Sequence, residues 1–547
     1  MTLTTPRGMR DVLPEEALWR ERITANVTRR FSERGYLPVE TPVLERRDLI
    51  EPSDVSADHT FRLFDRDGAQ LMLRPDVTLP IARMVSARLG DAPGPWRLRY
   101  AAPVFCETDE LRGESRQFTQ LGIELIGESG VRADAEVLSL ADGALAAAGL
   151  AEYVIALGSV QPLNALLAAC GMPEAWRASV RGACRDNDLV AYDALVDRAV
   201  ADGALDERLG AALRELVRLQ GGRETIDRAR ELLDACGCAD DGGLDELQAV
   251  VDAATLSGRL VVDFSLTGSF GYYTGMVFAA YAPGMGASLG GGGRYDHVFE
   301  RYGTPRAAAG FALSLDALQE ALDRPNDSRH RPLRVAVSKG SLFPGALDLL
   351  ARAGYDVSAL ADPGRQLTIA VPADDVEYVI VRPTDAPAFV AFGGADVGIC
   401  GKDSLFEADM DVLELSDLAF GGCRFVVAEP AGASGRVEEN YRRLGAIRVA
   451  TKYPRITRAY YARIGVTADV LKLHGNIELA PLVGMADRIV DITATGTTLR
   501  ENNLVVVDEV MRCTARLFAN LSSARTDPRV YGLARRLADA AAERKEA

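Results

Sequence analysis

A run of hydroxyl side chains in the last part of the chain is the segment best suited to chemistry. Thr493, Thr495, Thr497 and Thr498 surround Gly496 in the segment ITATGTTL. Glycine lets a backbone approach a bound group closely, and the N–H groups of such a loop can point at one phosphate while hydroxyls add donors. The pattern predicts a phosphate-binding loop. The alternative is a threonine-rich turn with a capping role.

A carboxylate precedes this loop. Asp491 lies near the end of a predicted strand, residues 488–492. From there it could accept the two neighbouring hydroxyls of a ribose or take part in binding a magnesium ion. If a helix follows the loop, its N-terminus adds a favourable dipole for a phosphate. Together these features suit a ribose 5-phosphate.

The lysines are confined to one part of the chain. The protein uses arginine for nearly all its basic positions, and its only lysines are Lys339, Lys402, Lys452, Lys472 and Lys545. An ammonium group is a compact charge that suits contact with anions. Four lysines in one region therefore predict an anion site, with chance surface placement as the alternative.

The elements that position these residues follow a polar break. The segment DRPNDSRHRPLR, residues 323–334, is predicted to be a linker. After it, short apolar runs such as LRVAVS, DVGICG and RIVDI alternate with helical stretches. This alternation predicts an α/β domain over residues 335–547 with a largely parallel sheet.

Residues 332 to about 520 resemble the short-form catalytic subunit of ATP phosphoribosyltransferase. The resemblance is carried, in order along the chain, by VAVSKG, VRPTD, DVGICGKD, VATKYP and ELAPLVGMADRIVDITATGTTLRENNL. It implies a two-lobed fold like that of periplasmic binding proteins. It also implies a cleft in which phosphoribosyl pyrophosphate and ATP react to give phosphoribosyl-ATP and pyrophosphate, the first step of histidine biosynthesis.

The same resemblance implies roles for individual residues. Asp491 and Glu478 would bind the ribose, and Lys339 and Arg365 would neutralise the pyrophosphate and triphosphate. Lys402 and Asp403 would lie in a loop facing the same cleft. The 5-phosphate would be held by the loop that includes Thr493, Thr495, Gly496, Thr497 and Thr498. Magnesium is expected on the pyrophosphate, without a set of protein metal ligands. One departure concerns Ser341, which stands where the family often has an arginine after SKG.

The first half of the chain shows a different pattern. Residues 15–34 are predicted to form an amphipathic helix, and LRYAAPVFCET and FTQLGIELIG to form an antiparallel hairpin. Between about 133 and 257 the chain is rich in Ala and Leu at helical spacing, which predicts a helical insertion between sheet segments. The whole domain is placed at residues 1–322.

This half resembles class II histidyl-tRNA synthetases, and more closely their paralogue, the regulatory subunit of short-form ATP phosphoribosyltransferase. The matching segments are TPRGMRDVLPEE, LRPDVTLPIAR, RQFTQLGIELIG, GYYTG, GGGRYD and GFALSLDAL. The resemblance implies an antiparallel sheet domain of the class II synthetase type. It also implies a histidine pocket formed by Asp76, Thr78, Gln120, Glu124, Tyr272 and Tyr273.

Arginines that an adenylating synthetase needs are missing. Cys106 stands where the hairpin strand would carry one, the last helical motif reads Ser314-Leu-Asp316 without its usual arginine, and the histidine-specific arginine is replaced near Gly268. Arginine grips phosphates and carboxylates through paired hydrogen bonds, so these losses oppose adenylation. The sequence predicts a retained amino-acid pocket without the activating groups.

Composition narrows the remaining possibilities. A formal net charge of −16 opposes a large nucleic-acid surface. With neither an apolar signal region nor a membrane-length apolar stretch, the protein is expected to be cytoplasmic. The eight cysteines are spread along the chain, and Cys236-Gly-Cys238 lacks the partners of a zinc site, so free thiols and no protein-bound metal are expected.

The favoured hypothesis is a fused regulatory and catalytic subunit that forms a homo-oligomer. Histidine bound in the first half would inhibit the transferase in the second. One alternative is a histidyl-tRNA ligase with an unusual C-terminal domain. Another is a solute-binding module, which would normally require an export signal.

Overall fold

The protein folds into two compact units. A computed structural model describes residues 3–49, 60–90, 92, 94–108, 115–238, 242–267, 272–324, 331–362, 364–493 and 496–546. The N-terminal unit is Met1–Arg329 and the C-terminal unit is His330–Ala547. Half of the predicted linker, residues 325–330, lies outside the described residues. Within the described ranges, no helix is both long enough and apolar enough to cross a membrane.

The N-terminal unit is built on strands that form two sheets. The strands are β1 (Leu37–Pro38), β2 (Leu44–Arg46), β3 (Arg62–Phe64), β4 (Gln70–Leu73), β5 (Trp96–Phe105), β6 (Gln117–Ile126), β7 (Val154–Ser159), β8 (Gln220–Gly221), β9 (Arg259–Asp263), β10 (Met276–Tyr281), β11 (Gly290–Arg294) and β12 (Ala308–Ser314). The larger sheet has the order β1-β5-β6-β12-β11-β10-β7-β9-β8, and the smaller has the order β2-β4-β3. The predicted hairpin is confirmed, because β5 and β6 pair antiparallel from Trp96–Ile126 to Phe105–Gln117.

Ten helices of this unit lie in the described residues. They are α1 (Pro14–Glu33), α2 (Thr78–Arg88), α3 (Val131–Ala148), α4 (Gln161–Ala169), α5 (Glu174–Arg185), α6 (Leu189–Ala201), α7 (Glu207–Leu216), α8 (Glu224–Ala235), α9 (Leu244–Ala253) and α10 (Leu315–Asp323). The predicted amphipathic helix is confirmed as α1. Its buried residues Ile23, Val27 and Phe31 recur every four positions and so form one face. Phe31 meets Phe311 of the sheet edge-on at a centroid distance of 5.7 Å.

The predicted helical insertion differs from the structure at two strands, the two-residue β8 at the edge of the large sheet and the longer β7. The insertion contains α3 and the helices α4 to α9, but between them β7 runs in the middle of the large sheet, paired with β10 and β9. All six residues of β7 are buried. A short apolar run that is buried on both faces has no alternation to distinguish it from a helix, and here it lies in an alanine-rich context.

The C-terminal unit contains the remaining elements. Its strands are β13 (Leu333–Ser338), β14 (Thr368–Val371), β15 (Val376–Val381), β16 (Val397–Gly401), β17 (Val412–Asp417), β18 (Cys423–Pro430), β19 (Ile447–Thr451), β20 (Ala468–Lys472), β21 (Arg488–Thr493), β22 (Leu504–Cys513) and β23 (Ala515–Asn520). Its helices are α11 (Phe343–Arg352), α12 (Ser358–Ala361), α13 (Ala386–Ala391), α14 (Lys402–Ala408), α15 (Ser434–Leu444), α16 (Pro454–Arg463), α17 (Leu479–Leu482), α18 (Thr497–Glu501), α19 (Leu521–Thr526) and α20 (Arg529–Glu546).

These strands form two sheets, each the centre of one lobe. The first lobe, residues 331–417 and 514–546, contains the sheet β14-β15-β13-β16-β23-β17. The second lobe, residues 423–513, contains the sheet β20-β19-β21-β18-β22. The chain passes from the first sheet to the second between β17 and β18 and returns between β22 and β23.

The prediction of a largely parallel sheet is wrong, because both sheets are mixed. Parallel pairing is limited to β13 with β15 and β16, and to β19 with β20 and β21. The other pairs, including β16 with β23 and β18 with β22, are antiparallel. The strands next to the two points where the chain passes between the lobes run antiparallel to their neighbours. The alternation of strands and helices in the sequence does not reveal this change of direction.

Candidate functional site

The lysines of the C-terminal unit follow a common rule of placement. Lys339 directly follows β13, Lys402 follows β16, Lys452 follows β19, and Lys472 is the last residue of β20. Each of these strands belongs to the parallel part of its sheet. Carboxyl ends of parallel strands meet at one edge, which is where open α/β sheets bind ligands. Four lysines therefore lie at the carboxyl edges of the two sheets.

At the edge of the first sheet, Lys339 and Arg365 are both exposed. The backbone N–H of Lys339 donates to the carbonyl of Val381 at 2.8 Å. Arg365 lies just before β14, which pairs with β15. There the N–H of Ile380 in β15 donates to the carbonyl of Leu367 at 2.8 Å. Both cations are therefore at the carboxyl end of β15, and neither side chain has an ion-pair partner in the described part of the chain.

Lys402 and Asp403 begin α14, although the resemblance had placed them in a loop. Lys402 forms an ion pair with the buried Glu414, which also accepts a 2.8 Å hydrogen bond from Nε of Arg516. The side chain of Asp403 folds back over Gly401, where any Cβ atom would overlap its Oδ1. Burial raises the pKa of Asp403. Lys402 is thus held by a carboxylate of its own lobe.

At the edge of the second sheet, Asp491 is nearly buried, with 8% of its surface exposed. Its Oδ1 accepts the N–H of Ile492 at 2.8 Å. Burial raises the pKa of Asp491, the charge of Lys452 opposes this rise, and the charge of Glu478 adds to it. The charges of Glu478 and Lys452 therefore both act on Asp491.

The threonine loop joins β21 to α18. Its predicted strand is confirmed as β21, and the hydroxyl of Thr493 accepts the N–H of Gly496 at 2.8 Å. Gly496 has a φ of +73°, a left-handed conformation that favours glycine. Thr497 and Thr498 are exposed, whereas Thr495 lies outside the described residues. Arg500, which the sequence did not predict, donates to the hydroxyl of Thr497 at 3.2 Å.

Tyr453 is a cleft residue that the sequence reasoning missed. Its ring meets Phe425 edge-on at a centroid distance of 4.8 Å. Burial raises its pKa, and the charges of Asp403 in the first lobe and Asp491 in the second contribute to the rise. Charges of predicted residues in both lobes therefore act on Tyr453. Its only sequence signal was its place in the quoted segment VATKYP.

The N-terminal unit contains a cluster of buried acidic and tyrosine side chains around Glu124, which is 1% exposed. We refer to this cluster as the acidic pocket. Its Oε1 accepts the hydroxyl of Thr78 at 2.7 Å and that of Tyr100 at 3.3 Å. Tyr295 donates to its Oε2. Burial raises the pKa of Glu124 to about 8 against the effect of these hydrogen bonds. Tyr100 and Tyr295 were not predicted, although Tyr295 lies in the quoted segment GGGRYD.

Two buried oxygens of the predicted pocket residues, Oδ2 of Asp76 and Oε1 of Gln120, have no hydrogen-bond partner among the described residues. The other carboxylate oxygen of Asp76 accepts the N–H of Leu79 at 3.0 Å, and burial raises the pKa of Asp76 to about 6. Neither Asp76 nor Glu124 forms an ion pair with an arginine or lysine of the described residues. A pocket with two buried carboxyls and no cation is suited to a cationic ligand.

Tyrosines form the apolar wall of this pocket. The ring centroids of Tyr272 and Tyr273 are 5.1 Å apart, and those of Tyr272 and Tyr295 are 5.8 Å apart. Burial raises the pKa of Tyr272 and Tyr273, and the charges of Asp76 and Glu124 add to the rise. Of the six residues predicted for the histidine pocket, Asp76 and Glu124 are the two carboxyls, and Thr78, Tyr272 and Tyr273 interact with one or both of them. Gln120 lies two residues from Gly122 and four from Glu124 on β6, and therefore on the same face of the strand.

Two of the positions that lack arginine have other partners. The thiol of Cys106 is 3.8 Å from the carbonyl of Pro75. Asp316 is bound by Arg20 of α1 at 2.8 Å, and it also accepts the backbone N–H of Thr119 at 3.0 Å. The third position, Gly268, lies outside the described residues.

Comparison with known proteins divides the chain in the same way. A family model described as histidyl-tRNA synthetase matches residues 8–318, and one described as ATP phosphoribosyltransferase matches residues 382–539. The ATP phosphoribosyltransferase of Rubrobacter xylanophilus is 51% identical over 195 residues, which are 36% of this chain and 89% of that protein. The ATP phosphoribosyltransferase regulatory subunit of Symbiobacterium thermophilum is 38% identical over 328 residues, which are 58% of this chain and 80% of that protein.

A solved structure supports the fold of the N-terminal unit. It is described as an ATP phosphoribosyltransferase regulatory subunit/histidyl-tRNA synthetase from Bacillus halodurans, with 31% identity and a TM-score of 0.54. The match covers 69% of this chain and 98% of the solved one. The regulatory-subunit relatives favour the regulatory hypothesis over the ligase alternative. The chain therefore belongs to the ATP phosphoribosyltransferase family, as a glycosyltransferase of histidine biosynthesis whose catalytic domain is fused to a domain related to its histidyl-tRNA synthetase-like regulatory subunit.

Proposed function

We propose that the C-terminal unit joins the 5-phosphoribosyl group of phosphoribosyl pyrophosphate to N1 of ATP and releases pyrophosphate, and that histidine bound in the acidic pocket inhibits this reaction. The observation that carries the proposal for the reaction is the placement of Lys339, Lys452 and Lys472 at the carboxyl edges of two sheets, with Asp491 and the threonine loop at the second of these edges. Both substrates and the released product are polyanions, which such an edge is suited to bind.

The proposed roles follow the charges that develop during transfer. C1 of the ribose becomes cationic as pyrophosphate departs, and the carboxylates of Asp491 and Glu478 stabilise that charge and bind the ribose hydroxyls. Lys339 and Arg365 stabilise the negative charge on the leaving group. The 5-phosphate is held by the loop residues Thr493, Thr495, Gly496, Thr497 and Thr498. Correct alignment of the adenine N1 with C1 supplies the other large contribution.

The residues present also fit a magnesium ion carried by the substrate. Asp491 and Glu478 each offer carboxylate oxygens in the second lobe, and the charge of Glu478 adds to the raised pKa of Asp491. No cluster of three or more candidate metal ligands exists among the described residues. Mg²⁺ commonly binds through one or two carboxylates together with substrate phosphates. We therefore assign magnesium to the pyrophosphate, where it would neutralise charge, with Asp491 and Glu478 as its protein contacts.

Three further features belong to the proposal. The two lobes joined by two crossings support a fold like that of periplasmic binding proteins. A closed homo-oligomer is proposed because soluble oligomers are usually symmetric. The cytoplasm is the proposed location because ATP is supplied there.

The proposed ligand of the N-terminal pocket is histidine. Its ammonium group would supply the cation that Asp76 and Glu124 lack, and Thr78 and Gln120 offer polar contacts beside them. The rings of Tyr272 and Tyr273 would pack against the imidazole. Inhibition then requires that histidine bind two states of the whole chain with different affinity.

The experiment is formation of phosphoribosyl-ATP by the purified full-length chain from ATP, phosphoribosyl pyrophosphate and magnesium, with and without histidine. Turnover that histidine suppresses in the wild type, but not in Asp76→Asn, supports both parts. Turnover that is indifferent to histidine removes the regulatory part. Charging of tRNA with histidine by the same preparation would instead favour the ligase.

A further inference from the structure

An acidic side chain of the first lobe accepts hydrogen bonds from the start of a helix in the second lobe. Both carboxylate oxygens of Glu407, on α14, lie 3.1 Å from the backbone nitrogen of Arg455, and Oε2 also lies 3.1 Å from that of Ile456. These N–H groups belong to the first turn of α16, where backbone N–H groups have no hydrogen-bond partner within the helix itself. Glu407 therefore caps α16 from 48 residues away in the sequence.

Neighbouring charges strengthen this contact. Asp409, two residues further along, forms an ion pair with Arg455. Burial raises the pKa of Glu407, while the two backbone N–H groups and the charges of Lys472 and Arg455 oppose the rise. A negative charge at a helix N-terminus is also favoured by the helix dipole. The carboxylate of Glu407 is thus held by groups of the opposite lobe.

The segment that Glu407 helps to hold carries cleft residues. Lys452 and Tyr453 come directly before α16. The hydroxyl of Thr451 accepts the N–H of Tyr453 at 2.9 Å and donates to the carbonyl of Val490 at 2.8 Å. Val490 is followed by Asp491. One end of the segment is therefore fastened to β21 in the second lobe, and the other end to α14 in the first.

We propose that Glu407 is a positioning residue for the transferase reaction. By joining α14 to α16, it fixes the separation of the two lobes and places Lys452 and Tyr453 between Asp403 and Asp491. The inference rests on the proposed function of this cleft. Because Glu407 acts through other residues and is occupied by backbone N–H groups, its loss disturbs the arrangement required at the transition state more than the initial binding of either substrate.

The test compares Glu407→Gln and Glu407→Ala with the wild type in the full-length chain. Glu438→Gln is the matched control, because Glu438 is an exposed glutamate of the second lobe on α15, 3.8 Å from Arg442. The measurements are kcat, KM for each substrate, and hydrogen exchange of the backbone at residues 454–457. Glu407→Ala is expected to lower kcat about tenfold, as for loss of a helix cap, and to speed exchange. Glu407→Gln keeps one acceptor oxygen, so its kcat and its exchange rate should lie between those of the wild type and Glu407→Ala.

The kinetic pattern separates positioning from a local structural role. An unchanged kcat in Glu407→Ala, with faster exchange, overturns the proposal, as does a rise in KM alone. A wild type without transferase activity refutes the proposed function itself. In that case the test of positioning is whether added phosphoribosyl pyrophosphate slows hydrogen exchange of the backbone at residues 454–457. Protection lost in Glu407→Ala but kept in Glu438→Gln supports positioning, and equal protection in all three proteins overturns it.

Discussion

Thr78 donates a hydrogen bond of 2.7 Å to Glu124 in the buried acidic pocket. Neither Glu124 nor the second carboxyl, Asp76, is paired with a described arginine or lysine. The hydroxyls around Glu124 satisfy its oxygens without neutralising a charge. The charge state of the pocket therefore depends on whether a cation is bound.

The first prediction is that histidine binding releases a proton from the N-terminal pocket at pH 7. Burial raises the pKa of Glu124 to about 8, so the empty pocket holds Glu124 mostly protonated at that pH. A bound ammonium favours the ionised form and expels the proton. Titration calorimetry in two buffers of different ionisation enthalpy measures the number of protons released.

Glu124→Gln is the control for this measurement, because it keeps the size of the side chain and cannot ionise. The difference in proton release between the two proteins isolates Glu124 from the titration of histidine itself. Equal release by both would show that Glu124 does not change charge on binding.

The second prediction concerns the stability of the N-terminal unit, which should fall as pH rises from about 4.5 to about 8. In this range Glu124 is ionised in the unfolded chain but largely protonated in the folded one, so the folded state binds more protons. Asp76 contributes in the same direction up to about pH 6. The change is on the order of a few kcal/mol in the free energy of unfolding.

Tryptophan fluorescence can follow this transition alone, because Trp19, Trp96 and Trp176 are the only tryptophans and all lie in the N-terminal unit. Glu124→Gln should lessen the dependence on pH. A wild type that gains stability relative to Glu124→Gln between pH 5 and pH 8 would contradict the sign of the effect.

The third prediction is that Asp491→Asn lowers kcat by about 100-fold, the size expected for loss of one preorganised electrostatic contact. Asp491 is nearly buried at the end of β21, so its charge would act in a poorly solvated site. The measurement is initial rates at saturating ATP and phosphoribosyl pyrophosphate. Asp469→Asn, at an exposed position of β20, is the control and should retain activity. Similar rates for both variants would remove Asp491 from the reaction.

The fourth prediction is that Ser341→Arg lowers KM for phosphoribosyl pyrophosphate about threefold, as for a partly solvated ion contact. Ser341 is exposed and lies two residues after Lys339, so a guanidinium there would add positive charge at the edge of the first sheet. Ser341→Gln, which is polar but uncharged, is the control. The same KM in Ser341→Arg and Ser341→Gln would mean that this position does not contact the substrate.

Hydrophobic periodicity and turn residues within single segments correctly predicted several helices and strands. The helix α1, the hairpin of β5 and β6, and the strand before the threonine loop were all identified, because each has its own periodicity or turn residues. The contacts that complete the two candidate sites were not. Tyr295 and Glu124 are 171 residues apart, and Glu407 and Arg455 are 48 apart. Such pairs are formed by sheet order and lobe packing, which no single segment encodes.

The confinement of lysine to one unit has a chemical consequence. The N-terminal unit contains no lysine, and all but Lys545 lie at carboxyl edges of the two sheets in the C-terminal unit. Reagents that acylate lysine side chains will therefore modify side chains only in the C-terminal unit, apart from the α-amino group of the chain, and leave the side chains of the acidic pocket intact. Within one unaltered sequence, such a reagent could silence phosphoribosyl transfer while histidine binding is still measured.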